Sequence, residues 1–460
     1  MVFSSLFFLF FFLPITFGAY FLVPEKWKNA VLLAASIFFY AWGEPVYVGL
    51  MLFSAVFNYL VGLDMDRKSG REKKALLIFA VIVNLFLLGF FKYYGFCIDT
   101  VNGIFHTSIP IRKLGLPIGI SFYTFQSLSY LIDVYRGSVK VQRNLMNFAL
   151  YLTMFPQLIA GPIVKYSAIE AQLEHRTISL TSFGSGAGRF LFGLSKKVLL
   201  ANNLGMLYSQ VQAMEERTVL SAWIGIFAYT LQIYFDFSGY SDMAIGLGKM
   251  FGFTFQENFQ YPYTARSVTD FWHRWHISLS SWFRDYVYIP LGGNRVKTWK
   301  HVRNILIVWM LTGLWHGANW NFVIWGLYYG ILLLAEKYLL QPVMKKIPVW
   351  VTRVGTFLLV MVGWVFFSHT DLSAGLSYLG NLVGIQSAGF ADLTAFSLIR
   401  SYGILLVIGA IVCYPLPMKK IREMETVRPL GVAAVSTGLF VLCTAYLVYN
   451  SYNPFLYFRF

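Results

Sequence analysis

Long apolar runs separated by short polar segments dominate the chain. A membrane-spanning helix needs about 20 mainly apolar residues. The runs that approach this length are 3–22, 30–42, 46–63, 75–91, 117–133, 145–164, 219–237, 304–335, 354–368, 402–418 and 430–450. The run 30–42 is short for a span, and the run 304–335 is too long for a single one. The pattern predicts an all-α polytopic membrane protein with roughly ten to twelve transmembrane helices.

Composition supports a membrane protein and excludes a soluble or disordered chain. Of the 460 residues, 57% are apolar and 13% are charged, whereas a soluble domain carries about 25% charge. The net charge is +16, but the basic residues stand in short blocks such as 64–74 and 419–422, which is typical of cytoplasmic loops. We therefore expect the lipid bilayer and no nucleic acid as a partner. The blocks predict a multi-pass protein of the cell (inner, cytoplasmic) membrane with both termini extracellular or periplasmic.

One segment, 254–303, is too polar to span a membrane and too aromatic for a solvated loop. We expect a re-entrant or interfacial segment, which is tolerated where protein covers it or where it lines a cavity. Read as one helix, it has an apolar stripe and a polar stripe at helical spacing. The apolar stripe contains Phe271, Trp275, Leu279 and Phe283, and the polar stripe contains His276, Ser280 and Arg284. The polar stripe either lines an aqueous cavity or is the wet face of an interfacial helix anchored by tryptophans.

His316 is the other conspicuous polar residue, because two tyrosines are the only other ionisable side chains from Asn304 to Ala335. As one helix this run would extend about 48 Å, against a hydrocarbon core of about 30 Å. Gly313, Gly317 and Asn319 offer a break near its middle. His316 is then either a functional residue at membrane depth or a neutral histidine bonded to a neighbouring helix, and both interpretations remain open.

Two carboxylates lie near the end of the apolar run that begins at Val219. Asp242 is interpreted as the cap of a following helix, whereas Asp236 follows an uncharged run and is less easily explained. Candidate cavity-lining residues are Asp236, Ser280, Arg284 and Asn319. We expect no metal site, because His273 and His276 have no partner cluster and the three cysteines are far apart.

Three stretches resemble the signature blocks of the membrane-bound O-acyltransferase (MBOAT) superfamily: Tyr234–Gly246, Phe271–Arg295 and Leu311–Trp320. They are similar to its bacterial branch, which acetylates alginate or peptidoglycan or transfers D-alanine to teichoic acid, and the glycine-rich end of the second stretch favours the alginate and peptidoglycan type. The resemblance implies one transmembrane domain over 1–460 with a signature core of about 117–340. It also implies a ring of helices, with re-entrant helices, around a central funnel.

The resemblance assigns site residues and a reaction. His316 matches the catalytic histidine, and His276 matches a second position that is Asn or His in the superfamily; His273 receives no role. A neutral histidine suits general-base work near pH 7, so His316 would activate a hydroxyl, while His276 would orient His316 or donate to the developing oxyanion. No bound cofactor is expected, and acetyl-CoA or another acyl thioester would be the donor substrate.

The function expected from this resemblance is O-acetylation of an extracellular cell-envelope polysaccharide or peptidoglycan from a cytoplasmic donor. Three alternatives stay open: D-alanyl transfer to teichoic acid, an ion-coupled transporter, and a non-catalytic scaffold of an envelope assembly. In a transporter, Asp236, Asp242, His276 and His316 would line the ion path.

The last ten residues, 451–460, form a predicted extracellular tail that is rich in aromatic side chains. One interpretation is an aromatic belt that anchors the last span. The other is a relay, because the tail resembles the tyrosine-containing C-terminal motif of the small membrane partner in teichoic-acid D-alanylation. In that case the Tyr457 hydroxyl would carry the acyl group to an extracellular SGNH-type transferase.

Overall fold

The computed structural model describes residues 1–112, 114–159, 161–416, 429–449 and 455–456. In these residues the regular structure is entirely helical. The α-helices, numbered in chain order, are α1 Leu13–Leu22, α2 Glu25–Gly43, α3 Val48–Arg67, α4 Gly70–Phe105, α5 Ile120–Arg136, α6 Leu145–Thr153, α7 Phe155–Leu158, α8 Tyr166–Glu174, α9 Leu180–Ser195, α10 Asn202–Gln212, α11 Val219–Met250, α12 Val268–Arg274, α13 Ile277–Phe283, α14 Thr298–His316, α15 Trp320–Ala335, α16 Gln341–Met344, α17 Val349–Ser368, α18 Leu372–Leu382, α19 Leu393–Val412 and α20 Pro429–Tyr449.

Short irregular helical turns extend or join several of these helices. Four are π-helical, at Phe8–Phe12, Lys196–Ala201, Arg284–Tyr288 and Glu336–Leu340, and one is a 3₁₀ turn at Pro262–Thr264. Seven α-helices of the described residues begin at a side chain that accepts a hydrogen bond from the first turn, as expected for short polar residues at that position. These capping residues are Asn144, Ser179, Thr218, Ser267, Asn319, Asp371 and Asp392.

Seven helices in the described part of the chain are long and apolar enough to cross a membrane by length and composition. They are Val48–Arg67, Gly70–Phe105, Val219–Met250, Trp320–Met344, Val349–Ser368, Leu393–Val412 and Leu430–Tyr449. The first apolar run is helical as well, with a shorter apolar helix at Phe8–Leu22. The all-α membrane architecture predicted from the apolar runs is therefore confirmed.

Two of the long apolar runs are broken. The run 304–335 ends one helix at His316 and begins the next at Trp320, so the break predicted there is confirmed. The prediction of a single span over 145–164 is wrong, because α6 ends at Thr153 after nine residues, which is about 14 Å of helix. Pro156 stands in the first turn of α7, where its missing N–H prevents it from continuing the earlier helix.

The chain divides into two compact units. Unit 1 comprises residues 1–190 and 242–256, and unit 2 comprises residues 191–241 and 257–460. The single domain expected over 1–460 stays a prediction.

Unit 1 has an aromatic core and buried polar pairs. Phe8 and Phe155 are fully buried and their rings are 6.2 Å apart. In the candidate spans α3 and α4, Asn58 and Asn84 exchange two side-chain hydrogen bonds of 2.8 and 3.1 Å. This reciprocal pairing satisfies amide groups that would otherwise be costly in an apolar environment.

Asp242 also lies in unit 1, and its predicted role as a helix cap is wrong. The helix α11 continues through it to Met250, and its carboxylate instead accepts from the guanidinium of Arg189 at 2.9 and 3.1 Å. A paired carboxylate does not compete for the backbone N–H groups that a free cap would bind.

In unit 2, two facing glycines bring α14 and α15 into direct backbone contact. A Cβ atom added to Gly313 would lie 2.1 Å from the carbonyl oxygen of Phe322, and one added to Gly326 would lie 2.2 Å from that of Trp309. Small residues allow this close approach between apolar helices. The contact fixes the hairpin that presents His316 at its bend.

The segment 254–303 forms short helices joined by turns before α14 begins at Thr298, and its re-entrant or interfacial placement stays a prediction. The prediction of one continuous helix with two stripes is wrong, because α12 ends at Arg274 and α13 begins at Ile277. Between them His276 adopts a left-handed backbone with φ 46° and ψ 52°, a conformation that cannot continue a right-handed helix. His276, Ser280 and Arg284 therefore do not share one helical stripe.

The glycine contact between α14 and α15 leads to a stability prediction. Gly326→Ala should lower the free energy of unfolding by about 1–3 kcal/mol, the usual cost of overpacking, since the new methyl group meets backbone rather than a movable side chain. Thermal unfolding of the purified protein in detergent measures the effect.

The matched control is Gly355→Ala in α17, where no heavy atom lies within 4 Å of the new Cβ. There alanine should be neutral or slightly stabilising, because it is the better helix former. Equal melting temperatures for the two variants would contradict the close-contact interpretation.

Candidate active site

His316 occupies the last position of α14, directly before the bend at Gly317. Its side chain is 3% exposed and is surrounded by aromatic rings. The ring centroids of Trp315 and Trp325 are each 5.0 Å from that of the imidazole, and the ring of Phe367 is 5.3 Å away. Three elements thus contribute to the enclosure: α14, α15 and α17.

His276 lies next to His316 although the two residues are 40 positions apart in the chain. Their ring centroids are 6.3 Å apart, and the planes are inclined by 62°. His276 is fully buried, and its ring also contacts Trp315 at 5.8 Å. The two buried imidazoles are therefore neighbours in unit 2.

Asn258 fixes the orientation of the His276 ring. Its side-chain oxygen accepts from the backbone N–H and the hydroxyl of Ser278 at 3.1 and 2.9 Å, and it lies 3.3 Å from Nδ1 of His276. A backbone N–H only donates, so the atom facing it is the amide oxygen, and Nδ1 of His276 must carry the proton that the oxygen accepts. In the neutral ring, Nε2 therefore carries the lone pair.

Among His276, Asn258 and Ser278, two buried polar atoms have no hydrogen-bond partner within the described residues: Nε2 of His276 and Nδ2 of Asn258. Buried polar groups are nearly always paired, so an exception calls for an explanation. A substrate hydroxyl that donates to Nε2 of His276 would supply the missing partner there.

The left-handed turn at His276 is held by backbone bonds to the stretch from Asn258 to Gln260, which precedes α12. The N–H of Ile277 donates to the carbonyl of Asn258 at 3.0 Å, and the N–H of Gln260 donates to the carbonyl of Arg274 at 2.9 Å. Asn258 therefore fixes both the main chain and the side chain of the second histidine.

The helices that enclose His316 are tied together at their ends. The side-chain amide of Asn319 donates to the carbonyl of Thr370 at 2.7 Å, and that of Asn321 donates to the carbonyl of His369 at 2.5 Å. These bonds join the start of α15 to the end of α17. They hold Trp325 and Phe367, whose rings are 5.3 Å apart, together against the imidazole of His316.

The remaining candidates from the sequence lie in different settings. Asn319 caps α15 by accepting the N–H of Asn321 at 3.1 Å. The hydroxyl of Ser280 donates to the carbonyl of Trp272 at 3.4 Å. The Arg284 side chain is 63% exposed and pairs with Asp285. Asp236 is buried and ion-paired in unit 2. Tyr457 lies outside the described residues.

Sequence reasoning brings the two histidines forward but misses their surroundings. Asn258 is an ordinary asparagine in a polar segment, and nothing in its local pattern marks it. Phe367 lies in an apolar run, and because the chain contains many phenylalanines, the sequence does not single it out. Only the left-handed turn and the helix packing show that these residues touch the site.

Comparisons with known proteins give a family for this arrangement. Residues 138–374 match the model of the membrane-bound O-acyltransferase family, a region that contains both histidines. A probable alginate O-acetylase of Azotobacter vinelandii is 41% identical over 499 aligned residues, which cover 100% of each chain. A peptidoglycan O-acetyltransferase of Helicobacter pylori is 37% identical over 436 residues, covering 86% of this chain and 82% of the relative. A teichoic acid D-alanyltransferase of Bacillus subtilis is 27% identical over 241 residues, covering 50% of this chain and 61% of the relative.

The bonds at Asn258 lead to a second stability prediction. Asn258→Leu should lower the free energy of unfolding by about 1–3 kcal/mol, since it leaves buried donors of His276 and Ser278 without an acceptor. Ser278→Ala should cost less, because it removes one donor and keeps the amide oxygen for His276. Thermal unfolding in detergent compares the two variants, and a leucine variant as stable as the wild type would contradict this role of Asn258.

Proposed function

The chain belongs to the membrane-bound O-acyltransferase family, and we propose that it transfers an acetyl group from cytoplasmic acetyl-CoA through the membrane for O-acetylation of an extracellular cell-envelope polysaccharide. Membership confirms the predicted resemblance and makes the protein a multi-pass membrane acyltransferase. The observation that carries the finer proposal is the pair of buried histidines at the helix break, His276 and His316.

The acceptor class follows from the names of the relatives. The Azotobacter vinelandii and Helicobacter pylori relatives, named for alginate and peptidoglycan O-acetylation, align over 100% and 82% of their own length, and both acceptors are polysaccharides. The relative named for D-alanyl transfer aligns over half of this chain at lower identity. We therefore favour an acetyl group over D-alanine, and a polysaccharide hydroxyl as its destination.

The reaction assigns a proton-accepting role to His316. A hydroxyl is a poor nucleophile near neutral pH, so the base removes its proton while the oxygen attacks the thioester carbonyl carbon. The carbon–sulfur bond then breaks, and the thiolate of CoA leaves with the proton that the imidazolium returns. General-base catalysis of this kind contributes about 10²- to 10⁴-fold in rate.

His276 has a different task in this scheme. With the Nδ1 proton directed at Asn258, the neutral ring accepts a hydrogen bond at Nε2. Nε2 therefore accepts from a second donor group of the bound substrate and aligns the substrate, because the single proton of the attacking hydroxyl goes to His316. Donation to the oxyanion, the other role expected from the sequence, requires the ring to be protonated on both nitrogens.

The aromatic enclosure of His316 supports an acyl-transfer reaction over hydrolysis. Trp325 is fully buried and Phe367 is 1% exposed, and both rings contact the imidazole. Such a wall keeps water from the activated thioester, the usual requirement for an acyl transferase.

The first test replaces His316 with alanine. Acetylation of the cell-envelope polysaccharide should fall by about 10²- to 10⁴-fold or to background, whereas the level of the protein in the membrane should stay unchanged. The matched control is His273→Ala, because His273 is exposed and has no role in the proposed reaction. Near-normal acetylation by a well-expressed His316→Ala variant would remove the general-base assignment.

We extend the proposal to the route of the acyl group. Both termini and the tail face the outside, the protein resides in the cytoplasmic membrane, and Tyr457 receives the acetyl group before an extracellular SGNH-type transferase takes it. Support comes from the two described tail residues. Phe455 packs 5.8 Å from Phe237, whose ring in turn lies 4.6 Å from that of His276.

The relay is chemically feasible in two balanced steps. The Tyr457 oxygen displaces CoA from the acetyl thioester to give a phenol ester, with its proton passing through His316 to the thiolate. The serine of the extracellular enzyme then attacks that ester, and the phenol leaves with the serine proton. A phenol is a better leaving group than an alcohol, so the second step is favourable.

The second test is Tyr457→Phe, which keeps the aromatic ring and removes the hydroxyl. Polysaccharide acetylation should be lost, and mass spectrometry after incubation of the wild type with acetyl-CoA should find an acetyl adduct on the peptide that contains Tyr457. Normal acetylation by the phenylalanine variant would show that the tail is an anchor and not a relay.

A further inference from the structure

A buried ion pair in unit 2 plays no part in the proposed chemistry. The ammonium of Lys197 donates to Oδ1 of Asp236 at 2.5 Å, and the two side chains are 5% and 2% exposed. Two charges removed from water carry a desolvation penalty that their attraction does not always repay. In an apolar helix such as α11, an ionisable residue is a candidate for function.

The backbone sets the geometry of this pair. Lys197 lies in the π-helical turn Lys196–Ala201 that follows α9. A Cβ atom added to Gly239 of α11 would lie 2.8 Å from the carbonyl oxygen of Gly193 and 3.2 Å from the backbone nitrogen of Lys197. The close approach at Gly239 thus holds α11 against the turn and keeps the carboxylate of Asp236 in place.

The second carboxylate oxygen binds the C-terminal tail. The backbone N–H of Leu456 donates to Oδ2 of Asp236 at 2.8 Å, across 220 positions in the chain. The preceding Phe455 is 3% exposed, and its ring lies 5.8 Å from that of Phe237 and 5.1 Å from that of Tyr240. Three residues of one helix therefore hold two consecutive tail residues.

This socket, defined by Asp236, Phe237 and Tyr240, adjoins the histidine pair. The ring of Phe237 stands perpendicular to that of His276 at 4.6 Å. Phe237 therefore contacts both the tail, through Phe455, and the active site, through His276. Tyr457 is the next residue after Leu456 in the chain.

We propose that the socket of Asp236, Phe237 and Tyr240 docks the chain's own C-terminal tail, and that Asp236 is a positioning residue for Tyr457. Lys197 occupies one carboxylate oxygen and thereby turns the other towards the tail. A carboxylate forms a charge-assisted bond to an N–H, which is stronger than a bond between neutral groups. The presentation of Tyr457 to His316 rests on the proposed function. Docking of the tail at Asp236 does not, and it can be measured without any reaction.

The experiment compares two double variants of the full-length protein in detergent: Lys197→Met/Asp236→Leu and Lys197→Met/Asp236→Asn. Both remove the buried charges together, a change that is often neutral for stability. They differ in the acceptor, which asparagine keeps and leucine lacks. Hydrogen–deuterium exchange of the C-terminal peptide, without acetyl-CoA, reports the protection of the Leu456 amide.

The leucine variant should exchange the Leu456 amide roughly tenfold or more faster than the asparagine variant, in proportion to the lost hydrogen bond. Exchange in α11 and α14 should be the same in both, which shows that the fold is intact. Equal protection of the tail in the two variants would overturn the docking proposal.

Polysaccharide acetylation, measured in parallel, separates this inference from the relay. A released tail with lost acetylation supports docking and relay together. A released tail with normal acetylation confirms that Asp236 docks the tail and contradicts the relay through Tyr457.

Discussion

The close backbone contact between α14 and α15 is the constraint on which the site depends. Gly313 and Gly326 leave no room for a methyl group between the two helices. The distance between α14 and α15 is therefore fixed by this backbone contact. His316 ends the first helix only three residues after Gly313, and Trp325 of the second helix directly precedes Gly326. The same contact therefore sets the position of the imidazole and of one wall around it.

Polar groups inside this apolar protein occur as matched sets. Asn58 and Asn84 bond each other, Lys197 neutralises Asp236, and Asn258 binds His276. Each set satisfies groups that would be costly to bury alone. The sets differ in the hydrogen-bonding atoms that remain available. The two asparagines bond each other, whereas Asp236 has a second oxygen that binds the tail and His276 has an Nε2 that can bind a substrate.

Much of the fold was predictable because apolar length and helix breakers act locally. The break after His316 follows from a run too long for one span and from the glycine at position 317. The left-handed backbone of His276 was not predictable, because its segment has good helical spacing and nothing in it forbids a helix. Asn258 overrides that local preference by accepting a backbone bond from Ile277 and a side-chain bond from Ser278, which lie 19 and 20 positions further along the chain. The pairing of Lys197 with Asp236 likewise depends on packing at Gly239, which no local pattern encodes.

The left-handed backbone of His276 also bears on which amino acids can evolve at this position. Most side chains clash in that region of φ and ψ, but asparagine, aspartate and histidine enter it several-fold more often than other non-glycine residues. His276 matches a position that is asparagine or histidine in the superfamily. Steric tolerance and hydrogen-bonding ability therefore select the same small set of residues. With a β-branched or bulky residue at this position, the backbone would have to leave the left-handed region and the neighbouring residues would be displaced. The fold would therefore be disturbed independently of any effect on the reaction.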